Sequence, residues 1–335
     1  MRKARHVPGF FAKGEKTMEI LVTLPLDEAG KARFAAAAPG HQLHFVEKDA
    51  VTPGLLENAQ VILGNLADPA QLRRCKELRW LQLDSAGTDG YCAPGLLPEG
   101  AVLTNATGAF GACIAEWLLA ALLAIWRHLP EYAENQKNCR WQRLGPVRTL
   151  AGSTVLVLGF GDLGRSFAER AHLLGARVLA VRRRPGEKPD WLEALGGAEM
   201  LEEWLPLADA VVLCLPANAS TRHMLSAGRI ALLKKGAVVL NAGRGSAVDT
   251  EALCRALYDG RIGGAALDVT DPEPLPPEHP LWHAPNTILT PHVSGLLSQP
   301  ENFEKAAGIC VENLRRFLAG QPLLNQVDRS TGYAD

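Results

Sequence analysis

The sequence predicts an α/β fold with two parallel sheets, each covered by helices on both faces. Short apolar runs alternate with helical stretches from residue 18 onwards, and a second alternating series begins at residue 154. This alternation is typical of parallel sheets joined by crossover helices. The chain has 335 residues, which is long enough for about two domains.

Five apolar runs in the first series have the length of strands. They are EILVTLP (19–25), HQLHFVE (41–47), AQVILG (59–64), LRWLQLD (78–84) and AVLTNA (101–106). The segments between them are rich in alanine, leucine or charge, and we expect PAQLRRCKEL (69–78) to form one of the helices. This series predicts a flavodoxin-like α/β domain.

Six strands are predicted in the second series. They are TVLVLG (154–159), RVLAV (177–181), AVVLCLP (210–216), AVVLNAG (237–243), GGAALDV (263–269) and TILTPH (287–292), with helices at 162–175 and 249–259 among the connections. The first of these strands runs into a Gly-x-Gly-x-x-Gly turn that opens a helix. Six strands with crossovers and this turn predict a complete Rossmann domain.

A single long amphipathic helix, at 300–319, follows the last strand. It is too short to form a third domain, so we expect it to return to the first. The predicted substrate domain is therefore discontinuous, comprising 18–107 and 293–328, with the Rossmann domain (108–292) inserted into it. We expect hinges at 105–110 and 290–295 and a substrate cleft between the domains. Residues 1–17 are basic, lack the apolar core of a secretory signal, and are predicted to be a flexible extension.

The composition is that of an ordinary soluble protein. The net charge of −1 gives no sign of nucleic acid or a membrane surface as a partner. The most apolar run, 112–126, contains Glu116 and is shorter than the ~18–20 residues that span a bilayer. The seven cysteines are odd in number and form no CxxC pair, which favours reduced thiols in the cytoplasm and no metal site.

The run 112–126 is apolar on nearly every face and includes two tryptophans. Such a helix presents more apolar surface than a single domain normally leaves exposed to water. We therefore expect a homodimer; burial of the helix within one subunit is the alternative.

Each glycine of the turn has a distinct predicted role. Gly159 permits the tight turn after the strand, Gly161 lets the backbone approach a pyrophosphate, and Gly164 lets helix and strand pack closely. The N–H groups at the start of the helix, around Asp162 and Leu163, are expected to bind the phosphates.

Three arginines, Arg182, Arg183 and Arg184, follow the second strand, where a carboxylate normally holds the ribose hydroxyls of NAD. A guanidinium suits the 2′-phosphate of NADP through its charge and its planar set of donors. The sequence therefore predicts NADP(H) as the preferred cofactor, with NAD(H) possible. Arg182 occupies the usual acid position, either neighbour could share the phosphate, and a solvated basic turn is the alternative.

Three side chains suited to catalysis follow successive strands of the second series. Arg244 lies after the fourth strand between two glycines, Glu273 lies in a proline-rich segment after the fifth, and His292 follows the sixth. The carboxyl ends of parallel strands meet at one edge of the sheet, where ligands bind. An arginine there can hold a carboxylate with two hydrogen bonds. A salt-bridge arginine and a structural histidine are the alternatives for each residue taken singly.

The motifs GFGDLG, LNAGRG, LDVTDPEPLP and TPHVSG occur in an order and spacing that resembles the D-isomer-specific 2-hydroxyacid dehydrogenase family, over residues 19–327. The resemblance implies that Arg244 binds substrate, that Glu273 is the acid paired with histidine, and that His292 donates and accepts the proton. It also implies that SAGTD (85–89) binds the substrate carboxylate through the N–H groups of Ala86 and Gly87. The positions that the resemblance assigns to the cofactor, beyond the glycine turn and the arginines, are Leu215, Pro216, Thr221, Ala242, Gly243, Arg244, Asp268, His292 and Gly295.

By the same resemblance, the chain is expected to transfer a hydride between NADP(H) and a 2-hydroxy or 2-oxo acid, most like the glyoxylate and hydroxypyruvate reductases. D-3-phosphoglycerate dehydrogenases and other NAD-dependent relatives are the alternative within the family. Formate dehydrogenases pair the histidine with glutamine, so Glu273 argues against them. A dinucleotide-sensing corepressor is the alternative of another class, and the presence of all three catalytic residues argues against it.

Overall fold

The computed structural model describes residues 17–184 and 186–334, which divide into two compact units. Among the described residues, the first unit consists of 17–109 and 297–334, and the second lies within Phe110–Leu296. Residues 1–16 of the predicted flexible extension lie outside the described residues.

Within the described residues, the strands are β1 (Glu19–Val22), β2 (Gln42–Phe45), β3 (Val61–Leu63), β4 (Trp80–Gln82), β5 (Val102–Thr104), β6 (Thr154–Leu158), β7 (Arg177–Val181), β8 (Ala194–Gly196), β9 (Ala210–Leu213), β10 (Val238–Asn241), β11 (Gly264–Leu267), β12 (Thr287–Leu289), β13 (Val327–Asp328) and β14 (Tyr333–Ala334). The α-helices are α1 (Glu28–Ala37), α2 (Pro53–Asn58), α3 (Gly111–Trp126), α4 (Leu129–Lys137), α5 (Asp162–Leu173), α6 (Leu201–Trp204), α7 (Ala227–Leu232), α8 (Thr250–Tyr258) and α9 (Pro300–Leu318).

The first unit contains a parallel sheet in the order β2-β1-β3-β4-β5. On one face of the sheet, α1 and α9 bury Phe34, Leu314 and Phe317 against strand residues such as Ile20 and Trp80. The other face is covered by α2 and the chain that precedes β4. The sheet therefore has apolar cores on both faces, as its buried strands require.

The predicted helix at 69–78 is shorter than expected and is a 3₁₀ helix over Pro69–Arg74. Its start is fixed by Asp68, whose carboxylate accepts the N–H of Ala70. The Cys75 N–H donates to the carbonyl of Leu72, three residues back, which closes the last turn. The chain then runs into β4, so the α-helical periodicity is not continued.

The second unit contains a parallel sheet of seven strands in the order β12-β11-β10-β9-β6-β7-β8. The six predicted strands correspond to all of these except β8, a three-residue edge strand that pairs with β7. The order reverses at β6, which lies between β7 and β9. Such a switch point is where doubly wound sheets bind ligands, and the predicted α/β class with its Rossmann sheet is confirmed.

Half of α3 is buried within the second unit, including Ile114, Leu118 and Leu122. The helix packs against α5 and against strands β10, β11 and β12. Much of the apolar surface of α3 is therefore already covered within the unit. In the described part of the chain, no single helix is long and apolar enough to cross a membrane, although α3 and α4, which are bent by 64° relative to each other, pass such a test as a pair.

Candidate active site

The glycine turn lies between β6 and α5 at the switch point of the second sheet. Gly159 has a φ of +99°, and a Cβ there would overlap the carbonyl oxygen of Cys214. A Cβ on Gly164 would overlap the carbonyl oxygen of Gly159, so this glycine brings the helix onto the strand. Both positions therefore require glycine for packing reasons within the protein.

Gly161 differs from the other two, because, apart from the glycine itself and its two chain neighbours, no atom of the described residues lies within 4 Å of the position that its Cβ would take. It occupies the N-cap of α5, and its φ is −92°. The N–H groups of the first helical turn, around Asp162 and Leu163, have no acceptor within the helix and lie at the positive end of its dipole. An open backbone next to such a helix end fits the pyrophosphate of a dinucleotide.

The three arginines lie at the carboxyl end of β7, beside the glycine turn. The two segments are joined directly, because Gly159 N–H donates to the Val181 carbonyl at 2.9 Å. Arg182 N–H donates to the Gly196 carbonyl at 2.9 Å, and its guanidinium lies where a Cβ on Gly186 would approach it to 2.5 Å. A basic group at this position fits a phosphate on the adenosine ribose.

The loop after β9 is held by Thr221, which is 4% exposed. Its hydroxyl donates to the Pro216 carbonyl at 2.7 Å and accepts the Asn218 N–H at 3.0 Å. The Asn218 side-chain oxygen accepts from Ser220, but its Nδ2 is buried and has no acceptor among the described residues. A buried donor without a partner is unusual, and it fits a ligand that brings an acceptor. The sequence analysis did not single out Asn218.

Cys214 lies at the end of β9, next to this loop. Burial, together with the nearby negative charge of Asp162, raises the pKa of its thiol to about 12. The thiol is therefore protonated at neutral pH and is a poor nucleophile. None of the seven cysteines, all of which lie in the described part of the chain, forms a disulfide.

Arg244 follows β10 on a turn fixed by Asn241. The Asn241 amide donates to the Arg244 carbonyl at 2.9 Å and accepts the Gly243 N–H at 3.0 Å. The guanidinium is half-buried, and its Nη1 donates to the Gly243 carbonyl at 2.7 Å. Asn241 is a further residue that the sequence analysis missed.

Neither glycine beside Arg244 has a positive φ, so backbone conformation is not the reason for glycine at these two positions. The glycines are required by crowding instead. A Cβ on Gly243 would lie 2.5 Å from the backbone N and O of Leu215, and a Cβ on Gly245 would overlap the Thr270 carbonyl. The loops after β9, β10 and β11 are thus packed directly against one another, which places Arg244 between its neighbours.

His292 and Glu273 form the predicted pair. His292 Nδ1 lies 2.7 Å from Glu273 Oε1. An ionised carboxylate only accepts hydrogen bonds, so Nδ1 carries the proton of this bond and Nε2 is the nitrogen that can exchange a proton with a substrate. The two side chains are 48% and 41% exposed, respectively, so a ligand can reach them.

Asp268 holds the loop that carries His292. Its carboxylate is 1% exposed and accepts hydrogen bonds from the Thr290 hydroxyl at 2.6 Å, the Val293 N–H at 2.8 Å and the Ser294 N–H at 3.0 Å. The His292 N–H donates to the Asp268 carbonyl at 2.8 Å, and His292 itself has a φ of 56°. Asp268 therefore fixes a backbone conformation that an ordinary side chain rarely adopts.

The other predicted site positions are divided between the two units. A Cβ on Gly295 would lie 2.8 Å from Ile114 Cδ1 in α3, and the Ala242 N–H donates to the Leu213 carbonyl at 3.1 Å. Ala86 and Gly87 lie in the first unit, on the turn after β4. Within the described residues there is no group of three or more His, Cys, Asp or Glu side chains that could hold a metal ion.

Residues 119–294 match the family model described as D-isomer specific 2-hydroxyacid dehydrogenase, NAD binding domain. The chain is 33% identical to glyoxylate/hydroxypyruvate reductase B of Yersinia enterocolitica, over 82% of this chain and 85% of that protein. It is 31% identical to glycerate dehydrogenase of Methylorubrum extorquens, over 75% of this chain and 79% of that protein.

Two solved structures are similar over 95% of this chain and the whole of their own. One is a D-isomer specific 2-hydroxyacid dehydrogenase from Xanthobacter autotrophicus Py2 in complex with NADPH and MES, with a TM-score of 0.81 and 32% identity. The other is an NADPH-dependent glyoxylate/hydroxypyruvate reductase from Sinorhizobium meliloti in complex with NADP and sulfate, with a TM-score of 0.80 and 26% identity.

Proposed function

Because the chain belongs to the D-isomer specific 2-hydroxyacid dehydrogenase family, we propose that it uses NADPH to reduce a small 2-oxo acid of the glyoxylate and hydroxypyruvate type. The product is the 2-hydroxy acid, in the D form where it is chiral. The observation that carries this proposal is the His292–Glu273 pair, at 2.7 Å, on the same sheet edge as Arg244 and the glycine turn.

The protein's own groups handle the carboxylate and the proton. Bound NADPH supplies a hydride to C2 of the substrate, and negative charge develops on the carbonyl oxygen. His292 Nε2 gives its proton to that oxygen, while Glu273 accepts from Nδ1, orients the ring and balances its positive charge. Arg244 binds the substrate carboxylate with two hydrogen bonds and polarises the carbonyl group.

The cofactor-binding residues divide according to the part of NADPH that they hold. Gly161 and the first turn of α5 bind the pyrophosphate, and the arginines after β7 bind the 2′-phosphate. The buried Asn218 Nδ2 donates to the cofactor, which gives this orphaned group a partner. The NADPH and NADP complexes of the two similar structures support NADP(H) as the cofactor, and NAD(H) remains possible.

The reaction is tested by NADPH oxidation with a panel of glyoxylate, hydroxypyruvate, pyruvate and bulkier 2-oxo acids. His292→Ala is expected to lower kcat by about 10²–10⁴-fold, the usual contribution of a general acid, while NADPH still binds. The control is His283→Ala, at an exposed histidine of the same unit. Near wild-type turnover by His292→Ala would show that this histidine is not the proton donor.

Cofactor choice is tested by comparing kcat/KM for NADPH and NADH. Arg182→Asp is expected to shift the ratio towards NADH by about tenfold or more, because it replaces a phosphate-binding cation with a repelling anion. Arg177→Asp is the matched control, since Arg177 begins the same strand and pairs with Glu193. A wild-type preference for NADH would contradict the assignment of the arginines.

A homodimer is the proposed assembly, and the apolar surface that favours it follows α3. Leu129, Trp141 and Val147 are 54%, 105% and 50% exposed, respectively, and burial against a second subunit would remove these apolar side chains from water. Light scattering at micromolar concentration tests this proposal, with Trp141→Ser expected to weaken the dimer. A wild-type monomer at these concentrations would contradict it.

A reducing compartment such as the cytoplasm is the proposed location, because the seven cysteines form no disulfide. The net charge of −1 favours a small-molecule partner over nucleic acid or a membrane surface.

A further inference from the structure

In the first unit, the turn Ser85–Gly87 has all three of its carbonyl groups held by donors. The Ser85 carbonyl accepts the Ala106 N–H at 2.9 Å. The Ala86 carbonyl accepts the Asn105 side-chain amide at 2.7 Å, and the Gly87 carbonyl accepts the Ser85 hydroxyl at 2.8 Å. We call these three hydrogen bonds the turn clamp.

The turn clamp determines where the N–H groups of the turn point. In a planar trans peptide, the C=O of one residue and the N–H of the next point in opposite directions. Holding the Ser85 carbonyl therefore orients the Ala86 N–H, and holding the Ala86 carbonyl orients the Gly87 N–H. In the described part of the chain, neither of these two N–H groups has an acceptor, although both residues are partly buried. Successive N–H groups of this kind form an anion site.

Asn105 is fixed in the orientation that the clamp needs. It is 2% exposed, and its Oδ1 accepts the Thr107 N–H at 3.2 Å, so its Nδ2 must face the Ala86 carbonyl. Its backbone is held in turn by Asn325, whose amide donates to the carbonyls of Asn105 and Thr107 at 3.3 and 2.7 Å. Asn105 is therefore a rigid donor, held from the C-terminal segment of the same unit.

We propose that Asn105 is a positioning residue for the substrate: by holding the Ala86 carbonyl in the turn clamp, it aims the Gly87 N–H at the carboxylate of the 2-oxo acid. Its side chain does not touch the substrate. The inference rests on the proposed function and on the expectation that the N–H groups of Ala86 and Gly87 bind that carboxylate.

The test compares Asn105→Ala with wild type in KM and kcat for glyoxylate or hydroxypyruvate. Losing the donor leaves the partly buried Ala86 carbonyl unpaired, so we expect KM to rise about tenfold, with kcat and the NADPH dissociation constant changed by no more than about threefold. Asn313→Ala is the matched control. Asn313 is fully buried in the same unit and donates to Gln82 Oε1 at 2.7 Å and to the Leu324 carbonyl at 3.0 Å, so its loss lowers stability without raising KM.

A second readout is the binding of oxamate, an unreactive analogue with the same carboxylate, to the NADPH complex by calorimetry. About tenfold weaker binding to Asn105→Ala than to wild type and Asn313→Ala supports the proposal. Equal binding, or no oxamate binding to wild type, overturns it. This readout holds even if wild type reduces no 2-oxo acid, an outcome that contradicts only the proposed function.

Asn105→Ser provides a second, less disruptive variant, because it keeps a polar side chain near the Thr107 N–H but removes the amide that donates to the Ala86 carbonyl. We expect oxamate binding to weaken by about threefold or more. If Asn105→Ala does not fold, unchanged oxamate binding by Asn105→Ser overturns the proposal, and weakened binding supports it.

Discussion

At the scale of single residues, the buried Asp268 holds the loop that carries His292. Its two carboxylate oxygens accept hydrogen bonds from three residues of the loop around His292. In Asp268→Asn, one oxygen becomes an NH₂ group that faces donors, so the loop loses part of its support. We expect a loss of about 1–3 kcal/mol in unfolding free energy and a fall in kcat of about tenfold or more, since proton transfer depends on geometry.

These effects can be measured by thermal unfolding and by NADPH oxidation. The control is Asp271→Asn, because Asp271 is more exposed and makes a longer contact, at 3.5 Å, with Arg222. If Asp268→Asn keeps wild-type kcat, the buried carboxylate does not position His292.

The sequence could predict the reactive residues but not the residues that support them. Arg244, Glu273 and His292 are recognisable because their types suit the chemistry and each follows a strand of one sheet; their catalytic roles stay a prediction until variants are measured. Asn105 and Asn241 carry no such signal. Asn105 becomes informative only when its amide is seen to reach a carbonyl 19 residues away, a distance along the chain that no local pattern encodes.

Two glycines of the turn between β6 and α5 support a prediction at the element scale. In Gly164→Ala, the new methyl group would overlap the Gly159 carbonyl and force α5 away from β6, so we expect a loss of about 1–3 kcal/mol in stability. In Gly161→Ala, the methyl group enters space with no described atom within 4 Å. We expect the Tm to stay near wild type while NADPH binding weakens about tenfold or more, because the pyrophosphate approaches there.

Thermal unfolding and titration of NADPH fluorescence measure the two effects separately. Each variant is the control for the other, since the same methyl group is added three residues apart. A stable Gly164→Ala, or a Gly161→Ala with unchanged NADPH affinity, would contradict this division of roles.

Most elements could be predicted from apolar patterning, and the family resemblance is confirmed. The missed strand β8 has only three residues, one of them glycine, so it has neither length nor alternation to reveal it. The helical segment at 69–78 contains good helix formers, but the backbone closes three-residue turns and then enters β4. In both cases the outcome depends on neighbouring chain rather than on local preference.

At the scale of the whole molecule, pH acts on stability through acids in both units. Burial raises the pKa of Asp209, but hydrogen bonds from Lys234 and the Thr154 N–H, with the charges of Lys234 and Arg148, outweigh it and lower the pKa below its ordinary value of 3.8. A folded-state pKa below 3.8 contributes stability that is present above pH 3.8 and is lost as the pH falls through the folded-state pKa.

Asp209→Asn is expected to lose about 1 kcal/mol of unfolding free energy at pH 7, or roughly 2–4 °C in Tm. The difference from wild type should shrink below pH 3.8 in thermal unfolding; a constant difference would contradict the charge-based account.

Asp84, in the first unit, has the opposite sign. It is 9% exposed, and burial raises the pKa of its carboxyl group above 3.8, although the Asn65 backbone and Lys48 act against this. The folded state therefore favours the protonated acid, and stability falls as pH rises from 3.8 through the folded pKa. Asp84→Asn should have a higher Tm than wild type at pH 7, and the gain should disappear towards pH 3.8. An unchanged or lower Tm at pH 7 would show that the carboxylate is well accommodated.

Because the first unit is built from two separate segments of the chain, it can be completed only near the end of translation. Residues up to Ala109 and the whole of Phe110–Leu296 are synthesised before α9 exists. Until then the first sheet lacks the Phe317 ring, which stacks on Trp80 with 5.0 Å between ring centroids, and the Asn313 amide, which reaches Gln82. The second unit is continuous and can fold as soon as it emerges. Between the synthesis of β5 and the emergence of α9, the nascent chain therefore carries a sheet face that α1 covers only in part, and exposed apolar surface of this kind favours aggregation.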